Sequence, residues 1–468
     1  MKAITFGIFN YSSPPALQVT PVDFQKSPFD LFKRLYGIFD HVFILESLVG
    51  PKELSEISVI GFEPEFIVSC DTRRFRVVDK KKRRVVINED ITEPLSQLKR
   101  LLPSIKDDRF RFVGGAVGYI SYEAVRFWEK LPALHKQKGF SIMQFGLYRD
   151  GIIYDHVQNR SFYFCLGPSR LGELNAKFEG TPAAAEHIAF SYSRPVRNMS
   201  RAQFIRKIRQ AKGYVYDGDV FQVVLSKRIS FKTRGNLLAV YDRLREVNPS
   251  PYMYFLRAPG GSILGSSPEM LIRITGKHIE SFPIAGTRPV GQDEKENDRL
   301  AQDLMKDEKE LAEHTMLVDL ARNDIGRVCE FGTVRVKELM KIKRFSHVQH
   351  IVSHVEGTLR SDADAFSATR AVFPAGTVSG APKVRAMQII NELEGSPRGP
   401  YAGALGYFSL NGCADFAITI RSLFVDRNGE AYVQSGAGIV MDSDPVSEWK
   451  ETEFKANAVL EALRRART

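Results

Sequence analysis

The chain has 468 residues and a formal net charge of +11 at pH 7. Hydrophobic residues make up 43% of it and charged residues 26%, which is the balance of a folded, water-soluble protein of one large or a few smaller domains. No apolar run reaches the roughly 18 residues of a membrane span. Residues 1–20 lack the apolar core of a signal peptide, so we predict a cytoplasmic protein without a membrane partner. The four cysteines are far apart, and neither a zinc site nor a disulfide framework is predicted.

Residues 1–165 form an N-terminal region in which short strand-like runs alternate with turns. The clearest runs are 41–48, 58–62, 112–119 and 151–156. A basic cluster from Lys80 to Arg84 lies between two short β-like runs, which predicts a charged hairpin tip. No aromatic side chains interleave this cluster to stack on bases, so nucleic acid is not an expected partner.

Residues 166–199 are rich in Gly, Pro, Ala and Ser and are predicted to be a connector. A catalytic region, 200–468, begins with a helix whose first residues, Ser-Arg-Ala-Gln from Ser200, form a capping box. The strands predicted next are 221–229, 262–264, 270–274, 416–425 and 431–435. The predicted helices lie near 293–322, 364–372, 381–393 and 446–465. Strands that come in runs favour an α+β fold over a doubly wound sheet.

Two predicted helices each carry a pair of glutamates three residues apart. The pairs are Glu310 with Glu313 and Glu448 with Glu451. Residues at this spacing share one helix face, so each helix presents two carboxylates together. Asp444 is the predicted N-cap of the second helix. Four oxygen donors in a basic chain indicate a Mg²⁺ site for an anionic substrate, and the alternative is two solvated helix faces.

Glycine-rich stretches do not predict a nucleotide site. Met441 stands where the third glycine of a dinucleotide fingerprint would be, and no phosphate-binding loop motif occurs. The backbone amides of Gly436 and Gly438, just before a helix, are able to hold a carboxylate instead.

Long, ordered motifs cover roughly residues 196–460. They are F-P-I-A-G-T-R-P (282–289), D-E-K-E-L-A-E-H-T-M-L-V-D-L-A-R-N-D-I-G (307–326), F-S-H-V-Q-H-I-V-S (345–353), F-P-A-G-T-V-S-G-A-P-K (373–383), R-G-P-Y-A-G-A-L-G-Y (398–407) and Q-S-G-A-G-I-V-M-D-S-D-P (434–445). With these motifs the chain resembles the chorismate-utilising enzymes, a family that includes anthranilate, aminodeoxychorismate, isochorismate and salicylate synthases. The resemblance implies two antiparallel β-sheets forming a sandwich with helices on the outside, and a Mg²⁺-dependent active site in a cleft of the C-terminal part.

The resemblance also implies roles for particular residues. Glu310, Glu313, Glu448 and Glu451 match the family's Mg²⁺ ligands. His350, which matches the residue placed for proton transfer, and Thr377 form the expected catalytic group. The residues expected to bind chorismate are Gln222, Ala285, Gly286, Thr287, Tyr401, Arg421, Gly436, Gly438 and Lys455. Arg421, predicted on a strand, suits bidentate capture of a carboxylate.

Two positions favour one branch of the family. Gln222 stands where isochorismate and salicylate synthases have the lysine that activates water, so ammonia is the expected nucleophile. Ala285 stands where aminodeoxychorismate synthases often have a lysine. We therefore predict the activity of the anthranilate synthase large subunit, which aminates chorismate at C2 and then eliminates pyruvate. The alternatives are amination at C4, as in aminodeoxychorismate synthase, and a non-catalytic sensor of chorismate or tryptophan.

The resemblance predicts a partner and an inhibitor. No Cys lies in a glutaminase-type motif, so a separate glutamine amidotransferase subunit is expected to supply ammonia. Feedback inhibition by L-tryptophan is expected at two segments, which comprise Leu45, Glu46, Ser47, Pro251, Tyr252 and Met253. The alternative for these segments is a buried strand and a packed loop. Glu56 and Ile57 replace the Arg and Tyr that are common in the family near this site.

Overall fold

The fold is known from a computed structural model, which describes residues 8, 16–23, 27–49, 56–132, 139–180, 189–344 and 348–467. No helix within these ranges combines the length and the apolar character needed to cross a membrane.

The strands, in chain order, are β1 (Leu17–Val22), β2 (Val42–Glu46), β3 (Ile57–Phe62), β4 (Phe66–Cys70), β5 (Arg74–Asp79), β6 (Arg84–Asp90), β7 (Gly115–Ile120), β8 (Met143–Tyr148), β9 (Asp150–Asp155), β10 (Arg160–Leu166), β11 (Phe190–Tyr192), β12 (Val196–Arg197), β13 (Gln222–Gly235), β14 (Tyr252–Ala258), β15 (Gly261–Ser267), β16 (Met270–Thr275), β17 (His278–Ser281), β18 (Ile284–Pro289), β19 (Arg335–Arg344), β20 (Val348–Thr358), β21 (Gly380–Ala381), β22 (Ala404–Ser409), β23 (Ala414–Ile418), β24 (Ser422–Asp426) and β25 (Glu430–Ile439). The helices are α1 (Pro28–Ile38), α2 (Pro94–Lys99), α3 (Leu171–Gly180), α4 (Arg201–Tyr216), α5 (Leu237–Val247), α6 (Glu294–Leu304), α7 (Glu308–Gly326), α8 (Ala365–Val372), α9 (Gly376–Ser379), α10 (Lys383–Glu394) and α11 (Pro445–Ala466).

These strands form two large antiparallel sheets. Sheet A has 13 strands in the order β1-β10-β9-β3-β2-β14-β15-β24-β25-β13-β11, with β12 and β21 also paired to β13. Sheet B has 12 strands in the order β18-β20-β17-β16-β23-β22-β7-β8-β4-β5-β6, with β19 also paired to β20. Both sheets combine strands from either side of the 166–199 segment, since β2 pairs with β14 and β7 pairs with β22. The predicted α+β sandwich is confirmed.

The alternation of side chains along the strands of sheet A builds two cores. On β2, Phe43 faces sheet B, whereas Ile44 faces the opposite side. The core between the sheets joins Phe43 to residues of sheet B such as Phe145 and Phe416. The outer core buries Ile44 against helices α1, α5 and α11. Helix α11 is therefore held against sheet A by its apolar face, which fixes the direction of its N-terminus.

Several local predictions are confirmed. Ser200 and Gln203 make both hydrogen bonds of the capping box at the start of α4. The cluster from Lys80 to Arg84 lies at the turn between β5 and β6. Asp444 caps α11, with Pro445 as its first residue.

Other predicted boundaries are wrong. The helix predicted over 293–322 is two helices, α6 and α7, because Asp293 and Asp307 each cap a new N-terminus. The predicted connector contains α3 and two short strands, β11 and β12. The strand predicted over 416–425 is interrupted, and Arg421 lies in the interruption with a φ of 50° rather than on a strand.

Two of the segments in which the chain passes from one sheet to the other are neighbours. One crossing joins β15 of sheet A to β16 of sheet B and contains Glu269, and the other joins β23 of sheet B to β24 of sheet A and contains Arg421. The crossings are hydrogen-bonded to each other: the Ile418 N–H donates to the Glu269 carbonyl at 3.1 Å, and the Ser266 N–H donates to the Arg421 carbonyl at 3.2 Å. This topology brings the acidic residue Glu269 and the cationic residue Arg421 together between the sheets.

Candidate active site

The two glutamate pairs lie in the first two turns of α7 and α11. Asp307 accepts a hydrogen bond from the Glu310 N–H at 3.2 Å, and Asp444 accepts one from the Ser447 N–H at 2.7 Å. These caps fix where each helix begins, so Glu310 and Glu448 both fall in a first turn. The positive end of a helix dipole favours carboxylates there.

Each pair places like charges side by side. Burial, reinforced by repulsion from Glu313, raises the pKa of Glu310 above its ordinary value. Burial also raises the pKa of Glu448, with a further contribution from Glu451. Lys309 of α7 acts electrostatically on Glu448, so the two helix N-termini face each other.

Among the described residues, no three of the four glutamates bring their carboxylate oxygens within 4.8 Å of one another. The four carboxylates therefore do not form one compact cluster. One buried, two half-buried and one exposed carboxylate on two facing helices, two of them with a raised pKa, fit a hard divalent cation that keeps part of its water shell.

Gln222, the first residue of β13, connects this acidic region to the cleft. Its Nε2 donates to Glu313 Oε1 at 3.0 Å, whereas its Oε1 is buried and has no hydrogen-bond partner among the described residues. Gly438 lies against it, and a Cβ at that position would be 2.5 Å from Gln222 Nε2. The glycine is thus required for the amide to lie here. Gln222 therefore has an acceptor oxygen without a partner among the described residues.

His350 lies on β20, beside β18. Its Nδ1 is 2.8 Å from the Gly286 carbonyl and 3.1 Å from Thr287 Oγ1. Because a carbonyl only accepts, Nδ1 carries the proton and Nε2 is the basic nitrogen. Burial, with a smaller effect of Arg421, lowers the pKa of His350, so the ring is neutral at pH 7.

Gly286 also determines where Glu310 lies. Its φ is 63°, and an added Cβ would be 3.3 Å from Glu310 Oε2 and 2.8 Å from Leu304 Cδ1. Ala285, the preceding residue, pairs with Ile351 in sheet B. The segment 285–287 therefore links the imidazole to the first glutamate pair.

Glu269 is a site residue that the sequence analysis missed. Burial raises the pKa of Glu269 to about 7, although Thr377, Lys455 and Arg421 all favour its ionised form. The Thr377 hydroxyl lies beside this carboxyl without a well-formed hydrogen bond, since its Oγ1 is buried and unpaired among the described residues. One feature of the sequence could have identified this residue. Glu269, in S-S-P-E-M-L (266–271), lies between the apolar residues 263–264 and 270–272, which is an unusual setting for a carboxyl.

Lys455, Tyr401 and Gly436 form the opposite side of the cleft. Lys455 Nζ is 2.6 Å from Glu451 Oε1 and donates to the Gly436 carbonyl at 3.2 Å. A Cβ on Gly436 would be 3.0 Å from Tyr401 Oη. The residues predicted to bind substrate and metal are thus connected in one region, although their chemical roles stay predictions.

A second cavity lies between the sheets and is lined by all six residues of the predicted tryptophan segments, Leu45, Glu46, Ser47, Pro251, Tyr252 and Met253. The register of sheet A explains this, because Glu46 on β2 pairs with Met253 on β14. The cavity has a volume of about 60 Å³ and opens to solvent.

Charged groups around this cavity are paired. Glu46 accepts hydrogen bonds from Tyr241 Oη and Arg245 Nε, both at 2.8 Å. Arg273 Nε donates to Asp415 Oδ2 at 2.8 Å, and Asp415 also accepts from Tyr252 Oη at 3.0 Å. Apolar and aromatic walls with a few polar groups are typical of a small-molecule site.

The cleft of paired acids, arginine, lysine and neutral imidazole between two antiparallel sheets defines an enzyme for an anionic substrate. A family model for chorismate binding enzymes matches residues 42–461, and the chain belongs to this family.

Its relatives agree with that assignment. Anthranilate synthase component 1 of Methanothermobacter thermautotrophicus is 48% identical over 439 residues, covering 94% of this chain and 92% of the relative. The same component of Saccharolobus solfataricus is 40% identical over 450 residues, covering 96% and 99%. The crystal structure of anthranilate synthase component I from Streptococcus pneumoniae superimposes with a TM-score of 0.78 at 34% identity, covering 86% of this chain and 92% of that chain.

Proposed function

We propose that this chain is the chorismate-aminating component of an anthranilate synthase. The reaction adds ammonia at C2 of chorismate, releases the C4 hydroxyl as water and then eliminates pyruvate. The observation that carries the choice of nucleophile is Gln222, whose Oε1 is a free acceptor in the buried cleft. An amide does not deprotonate water, but it does orient ammonia, which is already nucleophilic.

Chorismate is a dicarboxylate, and the cleft offers groups of matching charge. Arg421 and Lys455 supply cations, and the backbone amides of Gly436 and Gly438 supply neutral donors. Glu310, Glu313, Glu448 and Glu451 would hold Mg²⁺, which when bound neutralises the ring carboxylate beside the reacting carbons. Raised pKa values at Glu310 and Glu448 support this role, since burial and a like-charged neighbour leave both carboxylates in need of a cation.

Loss of the C4 hydroxyl needs a proton. Glu269, with a pKa of about 7, is half protonated at neutral pH and is suited to donate that proton as the C4–O bond breaks. We therefore assign the first proton transfer to Glu269, in addition to the histidine that the sequence predicts.

The second stage needs a base. Neutral His350 has Nδ1 engaged by Gly286, so Nε2 is the nitrogen that accepts a proton. Removal of the C2 proton by Nε2 makes the ring aromatic while the C3–O bond breaks. The ammonium group formed at C2 releases one proton, which replaces the proton that Glu269 donated. The departing enolpyruvate takes at its methylene carbon the proton that was removed from C2 and becomes pyruvate, which balances the reaction.

Two further features belong to this proposal. The ammonia comes from a glutamine amidotransferase subunit, which is consistent with the name "component 1" of the relatives. The cavity lined by Glu46, Ser47 and Tyr252 binds L-tryptophan as a feedback inhibitor, because its apolar walls suit an indole and its polar end suits an amino-acid group.

Product identity tests the proposal. The purified chain is incubated with chorismate, Mg²⁺ and an ammonium salt at a pH of about 8.5, where more of the ammonium is unprotonated. We expect anthranilate and pyruvate in equal amounts, and no turnover with glutamine alone. Aminodeoxychorismate without pyruvate would assign the chain to amination at C4, and the absence of any turnover would support the sensor alternative.

A further inference from the structure

A cluster of histidine and carboxylate side chains lies on sheet B and includes none of the residues assigned to the cleft or to the second cavity. His278 and Glu280 are on β17, and Glu356 is on the neighbouring strand β20. Side chains two residues apart on a strand point to the same face of a sheet, and Glu280 pairs directly with Glu356 in the register. The three side chains therefore share one face of sheet B.

The two carboxylates oppose each other, which is unfavourable without a cation between them. Glu356 is buried and Glu280 is half-buried, so water screens their repulsion poorly. Arg335 Nε donates to Glu356 Oε1 at 2.6 Å and leaves Oε2 on the side of the cluster. Lys337 Nζ is 3.7 Å from that Oε2, which is beyond hydrogen-bond distance. Arg273 lies opposite Glu280 on β16, but its Nε donates to another acid.

The distances within the cluster suit a four-coordinate metal ion. His278 Nε2 is 3.6 Å from Glu280 Oε1 and 3.4 Å from Glu356 Oε2, and both distances are long for a hydrogen bond. Ligand atoms at about 2.1 Å from a tetrahedral Zn²⁺ ion lie about 3.4 Å from one another. The three ligand atoms all lie within 4.8 Å of one another, so small side-chain movements bring them around one ion.

Outer partners orient both carboxylates. His354 Nε2 is 2.9 Å from Glu280 Oε1, and its ring stacks on Phe282 with the ring centroids 4.2 Å apart. Glu280 is thus held by His354, as Glu356 is held by Arg335. Metal ligands in proteins are commonly fixed by such neighbours. The His278 side chain is 43% exposed, which gives an ion a path from solvent.

We propose that His278, Glu280 and Glu356 bind one Zn²⁺ ion, with water as the fourth ligand. An imidazole nitrogen favours a late first-row ion over Mg²⁺, which prefers oxygen ligands, and such a site binds Zn²⁺ more tightly than Mn²⁺. The ion would join β17 to β20, the strand that also carries His350. This second metal site does not depend on the proposed function, because none of its ligands belongs to the cleft.

Co²⁺, whose visible absorption reports its coordination, is titrated into the full chain with excess Mg²⁺ to saturate the glutamates of the cleft. We expect one Co²⁺ per chain, displaced by one equivalent of Zn²⁺. Because the loss of an outer partner costs about 10- to 100-fold in metal affinity, His278→Ala, which removes a ligand, should weaken binding by about 100-fold or more. The matched control is His156→Ala, since His156 is also exposed but lies outside the cluster, and it should bind Co²⁺ normally.

Two further variants separate metal ligation from folding and from the cleft. His278→Cys keeps a ligand at this position and should restore Co²⁺ binding, with an added thiolate-to-cobalt absorption band. The double variant Glu310→Gln, Glu448→Gln should still bind one Co²⁺. Equal affinities of His278→Ala and His156→Ala would overturn the inference. Loss of Co²⁺ from the double variant, or an unmodified chain that binds neither Co²⁺ nor Zn²⁺, would overturn it as well.

Discussion

The active-site cleft and the second cavity treat their charges in opposite ways. In the cleft, Glu451 is paired with Lys455 at 2.6 Å, but burial and a like-charged neighbour raise the pKa of Glu310 and that of Glu448. In the cavity, Glu46 is paired with Arg245 at 2.8 Å.

The other acids around the cavity are also paired with arginines. Asp415 is 2.8 Å from Arg273, and Glu56 is 2.7 Å from Arg111. A site with unbalanced acids recruits a cation from solution, whereas a site with balanced charges takes a ligand of no net charge. This difference is what the proposed metal site in the cleft and the proposed zwitterionic inhibitor in the cavity would require.

The largest expected effect is in the cleft. Glu448→Gln keeps the size of the side chain but removes one of the acids that would hold Mg²⁺. We expect kcat to fall by about 10³-fold or more, since metal stabilisation of charge is worth several kcal/mol. Steady-state rates over a Mg²⁺ series measure this, and unchanged circular dichroism controls for folding. Full activity of the variant at limiting Mg²⁺ would remove the contrast between the two regions.

The substitution Glu269→Gln should cause the next largest fall in kcat. Loss of the proton donor should reduce kcat by about 10²- to 10³-fold. The pKa of Glu269 is raised to about 7, so the donating, protonated form is present below pH 7 and is lost as the pH rises through it.

The dependence of kcat/KM on pH tests whether activity is lost as Glu269 loses its proton. At a fixed concentration of unprotonated ammonia, kcat/KM of the unmodified chain should fall above a pH of about 7, and the Gln variant should show no such fall. The same alkaline limb in both proteins would assign the proton donor elsewhere.

In the cavity the expected effect falls on inhibition and not on turnover. Glu46→Gln removes the charge that pairs with Arg245 at the edge of the cavity and should weaken inhibition by tryptophan about 10-fold. With ammonium salt as the nitrogen source, kcat without tryptophan should stay within about 2-fold of the unmodified value, because Glu46 touches no reacting group. A parallel loss of kcat would show that the two regions are not separable.

The smallest effect concerns the position of a helix. Asp444→Ala removes the cap of α11, which accepts from the Ser447 N–H at 2.7 Å. We expect the free energy of unfolding to fall by about 1 kcal/mol. Urea denaturation measures it, and Asp444→Asn, which keeps a capping oxygen, should recover most of the loss. An equal loss with both substitutions would mean that the cap is not responsible.

Much of the sequence-based account depended on local signals that the structure confirms. The capping box at Ser200, the Asp444 cap and the hairpin tip at Lys80 are each determined by neighbouring residues. The α+β class followed from the order of strand-like and helix-like runs, and the sandwich followed from the family resemblance.

What could not be predicted depends on contacts distant in sequence. Arg421 lies between two strands of different sheets, yet its local sequence reads as one continuous strand. Glu269 acquires its raised pKa only when the second crossing of the chain buries it. The pairing of Glu56 with Arg111 joins residues 55 positions apart and has no local signature.

The most direct test of the account is a count of metal ions bound in the cleft. Mn²⁺, which like Mg²⁺ prefers oxygen ligands, is titrated into the chain and followed by electron paramagnetic resonance. The account predicts one Mn²⁺ per chain, displaced by Mg²⁺ and lost in the double variant Glu310→Gln, Glu448→Gln, while tryptophan binding stays unchanged. Stoichiometric Mn²⁺ binding that survives the double substitution would contradict it.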